Sequence, residues 1–279
     1  MSLSSLSQCL RGRLVPGNKE DKDKISPNKK YRKDKSCYQN IANLNVRTLM
    51  SDSRRIELEY AISKLNWDII GLCETRRKSE EINEFPDYIL YHTKSIKGLH
   101  GVGFLVKKHL KKNIIYFKSY SDRVATLDIS LPKGKVLSIV QVYAPTEKCN
   151  DEELNTFYKT LDLAVEVAHN RNLIIMGDFN AQIGKALQGE DSAFGKYSNG
   201  KRSKHGQRLV EFALENNLKF TNSMFKIRKN RKWTWLSPNG QHRTEIDYIL
   251  TSSNVKRPLQ TMFNNVLEKR RGGLESPNQ

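Results

Sequence analysis

The most informative stretch of the chain is an apolar run that ends in polar residues, Leu173 to Met176 followed by GDFNAQIG at 177–184. Four consecutive aliphatic residues bounded by Gly-Asp predict a buried strand that ends at an exposed tip. Asp178 and Asn180 are two positions apart, so both side chains can point the same way from an extended chain. A carboxylate and an amide in this arrangement suit a hard cation, or a phosphate with its attacking water. They also suit an Asx turn that closes a strand, and this stretch alone leaves both interpretations open.

Strand-like and helix-like patterns alternate over most of the remaining chain. Short runs of β-branched, aromatic and aliphatic residues bounded by turn residues predict further strands at Tyr38–Val46, Asp68–Cys73, Tyr88–His92, Val102–Val106, Ile114–Tyr120, Val124–Ser130, Val136–Tyr143, Phe220–Phe225, Trp233–Trp235 and Thr244–Leu250. Longer stretches with apolar residues at helical spacing predict helices at Ser53–Leu65, capped by Ser51 or Asp52, and at Asp151–His169 and His205–Asn217. Mixed strands with three long helices predict an α/β fold, in which two β-sheets pack face to face with helices outside.

These elements form one domain. No repeat and no linker interrupts the patterned region, which we place at residues 36–267. Residues 1–35 are polar and rich in lysine, and they cannot bury enough apolar surface to offset the entropy of ordering, so we expect a disordered basic leader there and a disordered tail at 268–279. The long polar segment Ala181–Ser203 predicts a loop that is either functional or disordered.

Charge points towards a polyanionic partner. The 279 residues include 48 Lys and Arg against 30 Asp and Glu, a formal net charge of +18. Such an excess favours nucleic acid as the partner over a merely solvated basic surface. We therefore expect DNA to be the partner, with no obligate protein partner inferred.

Cysteine usage and hydropathy limit the compartment. Cys9, Cys37, Cys73 and Cys149 are widely separated and form no CxxC pair, which argues against a zinc site and against a disulfide framework and fits a reducing compartment. No apolar run approaches the roughly 20 residues needed to cross a bilayer. We expect a nuclear or cytoplasmic protein that is neither secreted nor bound to a membrane.

Polar residues recur where predicted strands end or begin. Asn45, Glu74, the Asp178–Asn180 pair and Asp247 each adjoin an aliphatic run. A buried carboxylate at a strand end is costly unless it is paired or bound to metal, so this recurrence predicts convergence on one site rather than independent turn caps. One or two carboxylates with amides and waters satisfy Mg²⁺, which can assist phosphodiester hydrolysis, and Tyr143 could donate to the phosphate.

The motifs that carry these residues resemble the endonuclease/exonuclease/phosphatase superfamily, which has the DNase I-like fold. They are most similar to the apurinic-endonuclease-like domain of RTE-type non-LTR retrotransposons and to craniofacial development protein 2-like sequences. The matching strings run in the family's order over about residues 40–250: NLNVRTL, GLCETRR, GVGFLV, QVYAPT, GDFNAQIG, TNSMF, WTWLSPNG and TEIDYIL. The resemblance implies a four-layer sandwich, two mixed β-sheets flanked by helices.

The resemblance also implies roles for individual residues. Those expected to hold a metal, Mg²⁺ or alternatively Mn²⁺, are Asn45, Glu74, Asp178 and Asn180. Those expected to act in catalysis are Tyr143, Asp178, Asn180 and Asp247. Those expected to contact nucleic acid are Arg47, Asn222, Arg228, Thr234 and Trp235.

One expected motif is missing from the sequence. The family carries Ser-Asp-His shortly after the strand of Asp247, whereas here Asp247 is the last aspartate and all six histidines precede it. A positioned acid or base contributes about 10²–10⁴-fold, so its loss implies an impaired enzyme. His205 and His242 lie in polar stretches and are expected to be exposed rather than to substitute, and the closing strand is missing or is replaced within 259–267.

The leading interpretation is therefore a metal-dependent DNA endonuclease of retrotransposon type, impaired by that loss. The alternatives are a non-catalytic DNA-binding remnant and a phosphatase of the same superfamily.

Overall fold

The structure, a computed structural model, describes residues 40–168, 172–255 and 261–263. The expected leader and tail lie outside these ranges. The strands of the first sheet are β1 (Ile41–Asn45), β2 (Ile69–Cys73), β3 (Glu81–Glu84), β4 (Tyr88–His92), β5 (Val102–Lys107) and β14 (Thr261–Phe263). Those of the second sheet are β6 (Ile114–Ser119), β7 (Val124–Leu131), β8 (Lys135–Tyr143), β9 (Asn172–Asp178), β10 (Leu218–Phe220) and β13 (Asp247–Ser252). A small hairpin is formed by β11 (Trp235–Leu236) and β12 (Arg243–Thr244).

Both large sheets are mixed. The first has the order β14-β1-β2-β5-β4-β3, with parallel pairing at β14–β1 and β1–β2. The second has the order β10-β13-β9-β8-β7-β6, with parallel pairing only between β8 and β9 among the described strands. The parallel strands β1, β2, β8 and β9 end in Asn45, Cys73, Tyr143 and Asp178. Because β1, β2 and β9 contact one another across the two sheets, these ends are brought towards one edge of the sandwich.

Four layers follow from where the apolar side chains pack. A cluster that includes Ile41, Phe104, Leu127 and Met176 fills the space between the sheets. The outer face of the first sheet packs on Leu58 and Ile62 of helix α1 (Asp52–Ile62). The outer face of the second packs on helices α2 (Asp151–Val167) and α3 (Lys204–Glu215). The predicted α/β sandwich of two sheets flanked by helices is therefore confirmed.

Side-chain caps fix where the three long helices begin. Ser51 caps α1 by accepting a hydrogen bond from the backbone N–H of Arg54. Asn150 caps α2 in the same way, and Ser203 caps α3. Each cap satisfies a backbone donor that has no partner within its helix. A short fourth helix, α4, spans Lys229–Lys232.

The prediction of a strand over Phe220–Phe225 was wrong in extent. The strand β10 stops at Phe220, and Thr221–Ser223 form a 3₁₀ turn. The turn is stabilised because the Asn222 side chain bonds to the backbone of β13, at Asp247 and at Ile249. A strand over Thr244–Leu250 was likewise too long, since Arg243–Thr244 and Asp247–Ser252 are separate strands.

Strand β14 lies within residues 259–267, where the sequence left open a strand that would replace the missing closing strand. Its three residues pair in parallel with Ile41–Asn43 of β1. Strand β3 was not predicted, because its EINE sequence lacks an apolar run and its residues are mostly exposed at the sheet edge.

The long loop Ala181–Ser203 is braced internally by an ion pair between two of its own residues. Both terminal nitrogens of Arg202 donate to the carboxylate of Glu190, at 2.5 and 2.6 Å. Arg202 also donates to the backbone carbonyls of Ile183 and Lys185. These bonds fix both ends of the loop relative to its middle.

None of the described helices is both long enough and apolar enough to span a bilayer.

Candidate active site

A contact among Asn45, Glu74 and Asp178 forms the centre of the candidate site. The side-chain amide of Asn45 donates to Glu74 Oε1 at 2.7 Å and lies 3.3 Å from Asp178 Oδ2. Asn45 closes β1, Glu74 directly follows β2, and Asp178 closes β9. Glu74 also accepts from Arg76 at 2.6 Å. Three residues predicted for one site from separate strand ends are thus brought together.

The backbone around this contact adopts the left-handed conformation at several residues that are not glycine. Arg47 has φ 58°, Glu74 has φ 57° and Asn180 has φ 46°. The left-handed region costs a residue with a side chain roughly 1 kcal/mol or more, and such residues cluster where function demands a particular side-chain direction. The strand ends here are therefore shaped for the site rather than for stability.

Asp178 and Asp247 form a buried carboxylate pair. They occupy opposed positions in the antiparallel pairing of β9 with β13, and their exposed fractions are 6% and 7%. Burial raises the pKa of Asp178 to about 6, with a further rise from the charge of Glu74, against the hydrogen bonds from Asn180 and Asn45. Burial and then the charge of Asp178 raise the pKa of Asp247 well above its usual value.

Partners on both sides hold Asp247 in place. Its Oδ1 accepts a hydrogen bond from the Asn43 side chain at 2.8 Å. Thr234 Oγ1 accepts from the backbone N–H groups of Ile246 and Asp247, at 3.0 and 3.1 Å. Thr234 is 7% exposed, so it serves as an anchor for the start of β13.

Tyr143 and Asn180 lie beside Asp178. Tyr143 is paired with Asp178 in the parallel ladder of β8 and β9. Burial, followed by the charges of Glu74 and Asp178, raises the pKa of the Tyr143 phenol above its usual value, so the phenol remains a proton donor at neutral pH. The backbone N–H of Asn180 donates to Asp178 Oδ1 at 2.9 Å, and its amide donates to the carbonyl of Ala144.

The residues predicted to contact nucleic acid are placed differently from one another. Arg47 is exposed next to Asn45, whose Oδ1 accepts from the Arg47 N–H. Arg228 and Trp235 are also exposed. Asn222, expected at the rim, is 4% exposed, and its hydrogen bonds go to Glu245 and the backbone of β13. Asn222 and Thr234 therefore support β13 from within, and contact of the other three with nucleic acid stays a prediction.

A cavity of about 380 Å³ lies between the long loop and the β11–β12 hairpin. Its lining is mostly basic, polar and aromatic: Lys185, Asn199, Gly200, Lys232, Trp233, Arg243 and Glu245. Glu245 accepts from Asn222, which also donates to the Asp247 carbonyl. The cavity thus adjoins the strand that carries Asp247.

A chain of buried polar side chains beneath the site was not predicted from the sequence. Gln141 donates to Asn43 Oδ1 at 2.7 Å, and Asn43 donates to Asp247. Gln141 also lies 3.1 Å from the Cys73 sulfur, and burial raises the pKa of that thiol. The signal was a polar residue inside an otherwise apolar strand, as in LSIVQVY and IANLN.

The expectation that His205 is exposed was wrong. It lies in the first turn of α3 with an exposed fraction of 5%, and its Nε2 is 3.9 Å from the sulfur of Cys149. The ring of His205 lies against the segment that leads into α2. His242 is exposed, as expected.

The donor set suits a hard cation. Glu74 and Asp178 supply carboxylate oxygens around one amide, and burial raises the pKa of Asp178, whereas Glu74 is paired with Arg76. Within the described ranges no group of three or more His, Cys, Asp or Glu side chains is placed to hold an ion. Mg²⁺ needs only one or two protein carboxylates, because waters and substrate phosphate complete its shell. The residues present therefore fit Mg²⁺ or Mn²⁺ better than zinc.

The chain is similar to known proteins over most of its length. A model of the Endonuclease/Exonuclease/phosphatase family matches residues 40–267. Craniofacial development protein 2 of Bos taurus is 31% identical over 225 residues, which are 79% of this chain and 37% of the bovine protein. The protein of the same name from Tragulus javanicus is 30% identical over 225 residues, 79% of this chain and 38% of that protein. The chain thus spans well under half the length of these relatives.

Solved structures share the fold. AP endonuclease LMAP from Leishmania major superposes with a TM-score of 0.57 at 14% identity, covering 91% of each chain. The catalytic domain of Xenopus laevis APE2 gives a TM-score of 0.54 at 17% identity, covering 77% of this chain and 82% of the other. At these identities the likeness establishes the DNase I-like architecture and no more.

Proposed function

Because this chain belongs to the endonuclease/exonuclease/phosphatase family, we propose that its domain is a metal-dependent endonuclease that hydrolyses phosphodiester bonds in DNA. The observation that carries the proposal is the contact of Asn45 with both Glu74 and Asp178. It joins three strand ends into one cluster, in which two carboxylates lie around the Asn45 amide group. The retrotransposon-type origin suggested by the sequence motifs is part of the same proposal.

The proposed roles follow from charge, burial and hydrogen bonding. Glu74, Asn45 and Asp178 would hold Mg²⁺ or Mn²⁺, which when bound polarises a phosphoryl oxygen and stabilises the leaving alkoxide. Asp178 is the proposed acceptor of the proton from the attacking water. Tyr143 keeps its phenolic proton and donates it in a hydrogen bond to the phosphate. Asn45 and Asn180 fix the two oxygens of Asp178.

DNA is the proposed substrate because of the charge of the chain and the family to which it belongs. The net charge of +18 favours a polyanion. Basic residues line the cavity beside the strand of Asp247, and Trp233 and Arg243 stack there at 5.1 Å. Two of the structural neighbours are named as an AP endonuclease and an APE2 catalytic domain. A phosphatase acting on a small headgroup has no comparable use for this basic surface.

A DNA-binding remnant without turnover is the second candidate. Within the described residues the carboxylate of Asp247 accepts from Asn43 rather than from a histidine. A missing general acid or base reduces a rate by about 10²–10⁴-fold. The proposal is therefore a slow nuclease, and the remnant is its limiting case.

Nicking of supercoiled plasmid separates these functions. We expect the protein to nick DNA with Mg²⁺ or Mn²⁺, to stop when EDTA is added, and to lose the activity in Glu74→Gln. Glu84→Gln is the matched control, because Glu84 is an exposed carboxylate on β3 that pairs with Lys111. Binding of labelled DNA without nicking at any metal concentration would establish the remnant instead. Phosphate release from small monoesters without nicking would establish a phosphatase.

A further inference from the structure

His100 connects a carboxylate to a guanidinium next to the candidate site. Its Nδ1 lies 2.9 Å from Asp122 Oδ2, and its Nε2 lies 3.0 Å from a terminal nitrogen of Arg123. The three side chains are mostly buried, with exposed fractions of 24% for His100, 9% for Asp122 and 14% for Arg123. This chain of contacts belongs to none of the roles proposed above.

The partners of His100 determine its tautomer. A guanidinium has only donors, so the Nε2 next to Arg123 must be an unprotonated acceptor. The ring proton is therefore on Nδ1, where it donates to Asp122. Burial raises the pKa of Asp122, but the hydrogen bond from His100, the neighbouring positive charge and the Ile96 N–H together outweigh it, and the net pKa is lower than usual. Asp122 is thus an anion that holds the ring in one orientation.

Arg123 transmits this orientation to Tyr143. It donates to the Tyr143 carbonyl at 3.2 Å, and its guanidinium lies 5.5 Å from the centre of the Tyr143 ring. The backbone N–H of Tyr143 donates in return to the Arg123 carbonyl at 2.9 Å. The rings of His100 and Tyr143 are 5.9 Å apart. His100 and Arg123 therefore both lie next to the Tyr143 ring.

The backbone around His100 reaches the opposite wall of the site. The N–H of Arg76 donates to the His100 carbonyl at 2.8 Å, and the N–H of Thr75 donates to the Gly101 carbonyl at 3.0 Å. Arg76 in turn donates to Glu74. Gly101 has φ 104°, and a side chain there would collide with Thr75 Oγ1, so the two loops approach as closely as glycine allows.

We propose that His100, oriented by Asp122, is a positioning residue of the candidate active site that holds Arg123 against Tyr143. This inference rests on the proposed function, because it gives Tyr143 a fixed place from which to meet a phosphate. His100 acts through Arg123 and does not touch the substrate. Misplacement of a reacting or binding group by about 1 Å costs up to about 10²-fold in rate.

Two isosteric variants separate positioning from simple packing. In His100→Gln the amide oxygen can occupy the place of Nε2 and accept from Arg123, whereas in His100→Asn the shorter amide reaches only Asp122. We expect His100→Asn to slow single-turnover nicking by about 10- to 100-fold and His100→Gln to retain most of the rate. DNA affinity, measured by anisotropy in EDTA, stays within about twofold in both. His109→Asn is the control, since His109 is 62% exposed and pairs with Asp68.

A double-mutant cycle tests the route through Tyr143. If His100 acts by positioning that residue, His100→Asn has no further effect in a Tyr143→Phe background. Additive losses, or equal rates for the Asn and Gln variants, would overturn the proposal.

A separate readout covers a protein that does not nick DNA. The amide exchange of Tyr143 should then be faster in His100→Asn than in His100→Gln, because the Tyr143 N–H donates to Arg123. If the protein does not nick DNA but Tyr143 exchanges faster in His100→Asn than in His100→Gln, the proposed function fails while the positioning role stands. Equal exchange in both variants means that the positioning role fails, whatever the activity.

Discussion

Asp178 and Asp247 face each other on adjacent antiparallel strands, both almost completely shielded from water. Two carboxylates in one buried site cannot both ionise without cost, and burial adds to that cost. Burial, with a further rise from the charge of Glu74, raises the pKa of Asp178 to about 6, and burial with the charge of Asp178 raises the pKa of Asp247. The domain therefore carries, at neutral pH, a charge that its fold does not favour.

Replacing Asp178 should stabilise the metal-free domain. A carboxyl group with a pKa of 3.8 when unfolded and about 6 when folded binds its proton more tightly in the folded state, so the free energy of unfolding falls as the pH rises from about 4 to 6. We expect Asp178→Asn to stabilise the metal-free domain at pH 7 by about 1–2 kcal/mol, a gain that stays small because an amide cannot accept from both Asn45 and Asn180.

Urea unfolding at pH 7 and at pH 4 measures this effect. The gain should be present at pH 7 and small at pH 4, where Asp178 is already protonated. Asp52→Asn is the control, since the Asp52 side chain is 84% exposed, and it should change stability by less than about 0.5 kcal/mol at either pH. A lower free energy of unfolding at pH 7 in Asp178→Asn would contradict the conclusion that the ionised carboxylate of Asp178 destabilises the folded domain.

Divalent cations should stabilise the folded domain through Glu74 and Asp178. At ten to a hundred times the dissociation constant, a ligand of the folded state alone adds about 1.4–2.7 kcal/mol. The rise in melting temperature with Mg²⁺ or Mn²⁺ should be larger at pH 7 than at pH 5, because at pH 5 the cation must displace the proton from Asp178. Glu74→Gln should abolish the shift and Glu84→Gln should keep it; equal shifts in both would place the ion elsewhere.

Gly71 should tolerate no side chain while Gln141 is present. A Cβ at this position of β2 would overlap the Gln141 amide and come within 2.6 Å of the Met176 methyl. Overpacking of this kind costs about 1–3 kcal/mol. We expect Gly71→Ala to lower the free energy of unfolding by that amount, and the double variant with Gln141→Ala to lose less than the two single changes together. Strict additivity in guanidinium unfolding would show that the two residues do not compete for space.

The long loop should open when the ion pair between Arg202 and Glu190 is broken. Both side chains are about 10% exposed, so Glu190→Gln leaves a largely desolvated guanidinium and should cost about 1–3 kcal/mol. Limited proteolysis within residues 184–202 should accelerate accordingly. Asp151→Asn removes a comparable pair with Lys204 in which both side chains are 76% exposed, and it should change the cleavage rate little. Equal cleavage rates in the two variants would refute the proposal that this ion pair braces the loop.

The sandwich was predictable where strands are buried on both faces. Runs such as IIGLC in β2 and NLIIMGD in β9 are almost entirely buried. Strands of this kind appear in the sequence as nearly continuous apolar runs, which can be recognised without the structure. Strand β3 was not predictable, since EINE is exposed and forms a strand only because β4 supplies hydrogen-bond partners. The end of β10 was not predicted either. Beyond Phe220 the Asn222 side chain, and not the strand backbone, accepts the hydrogen bond from the Ile249 N–H of β13.

The centre of the site was predictable because polarity changes abruptly at the strand ends of Asn45, Glu74 and Asp178. The buried residues that hold this centre in place were not predictable from the sequence. Asn43 and Gln141 meet partners 204 and 98 residues away along the chain, and no local pattern specifies such contacts. Asn222 and Thr234 show the same limit. The motifs that contain them predicted contact with nucleic acid, whereas in the structure both are buried and form hydrogen bonds to the backbone at the start of β13.

The parallel pairing of β14 with β1 has a consequence for biosynthesis. Ile41 and Thr261 are register partners separated by 220 positions, and a ribosome adding about 5–20 residues per second needs about 10–40 s to cover that distance. During this interval one side of β1 offers unpaired peptide groups to any passing strand. The most hazardous moment for this domain is therefore its own translation, and slowing elongation before residue 261 should increase aggregation of the nascent chain.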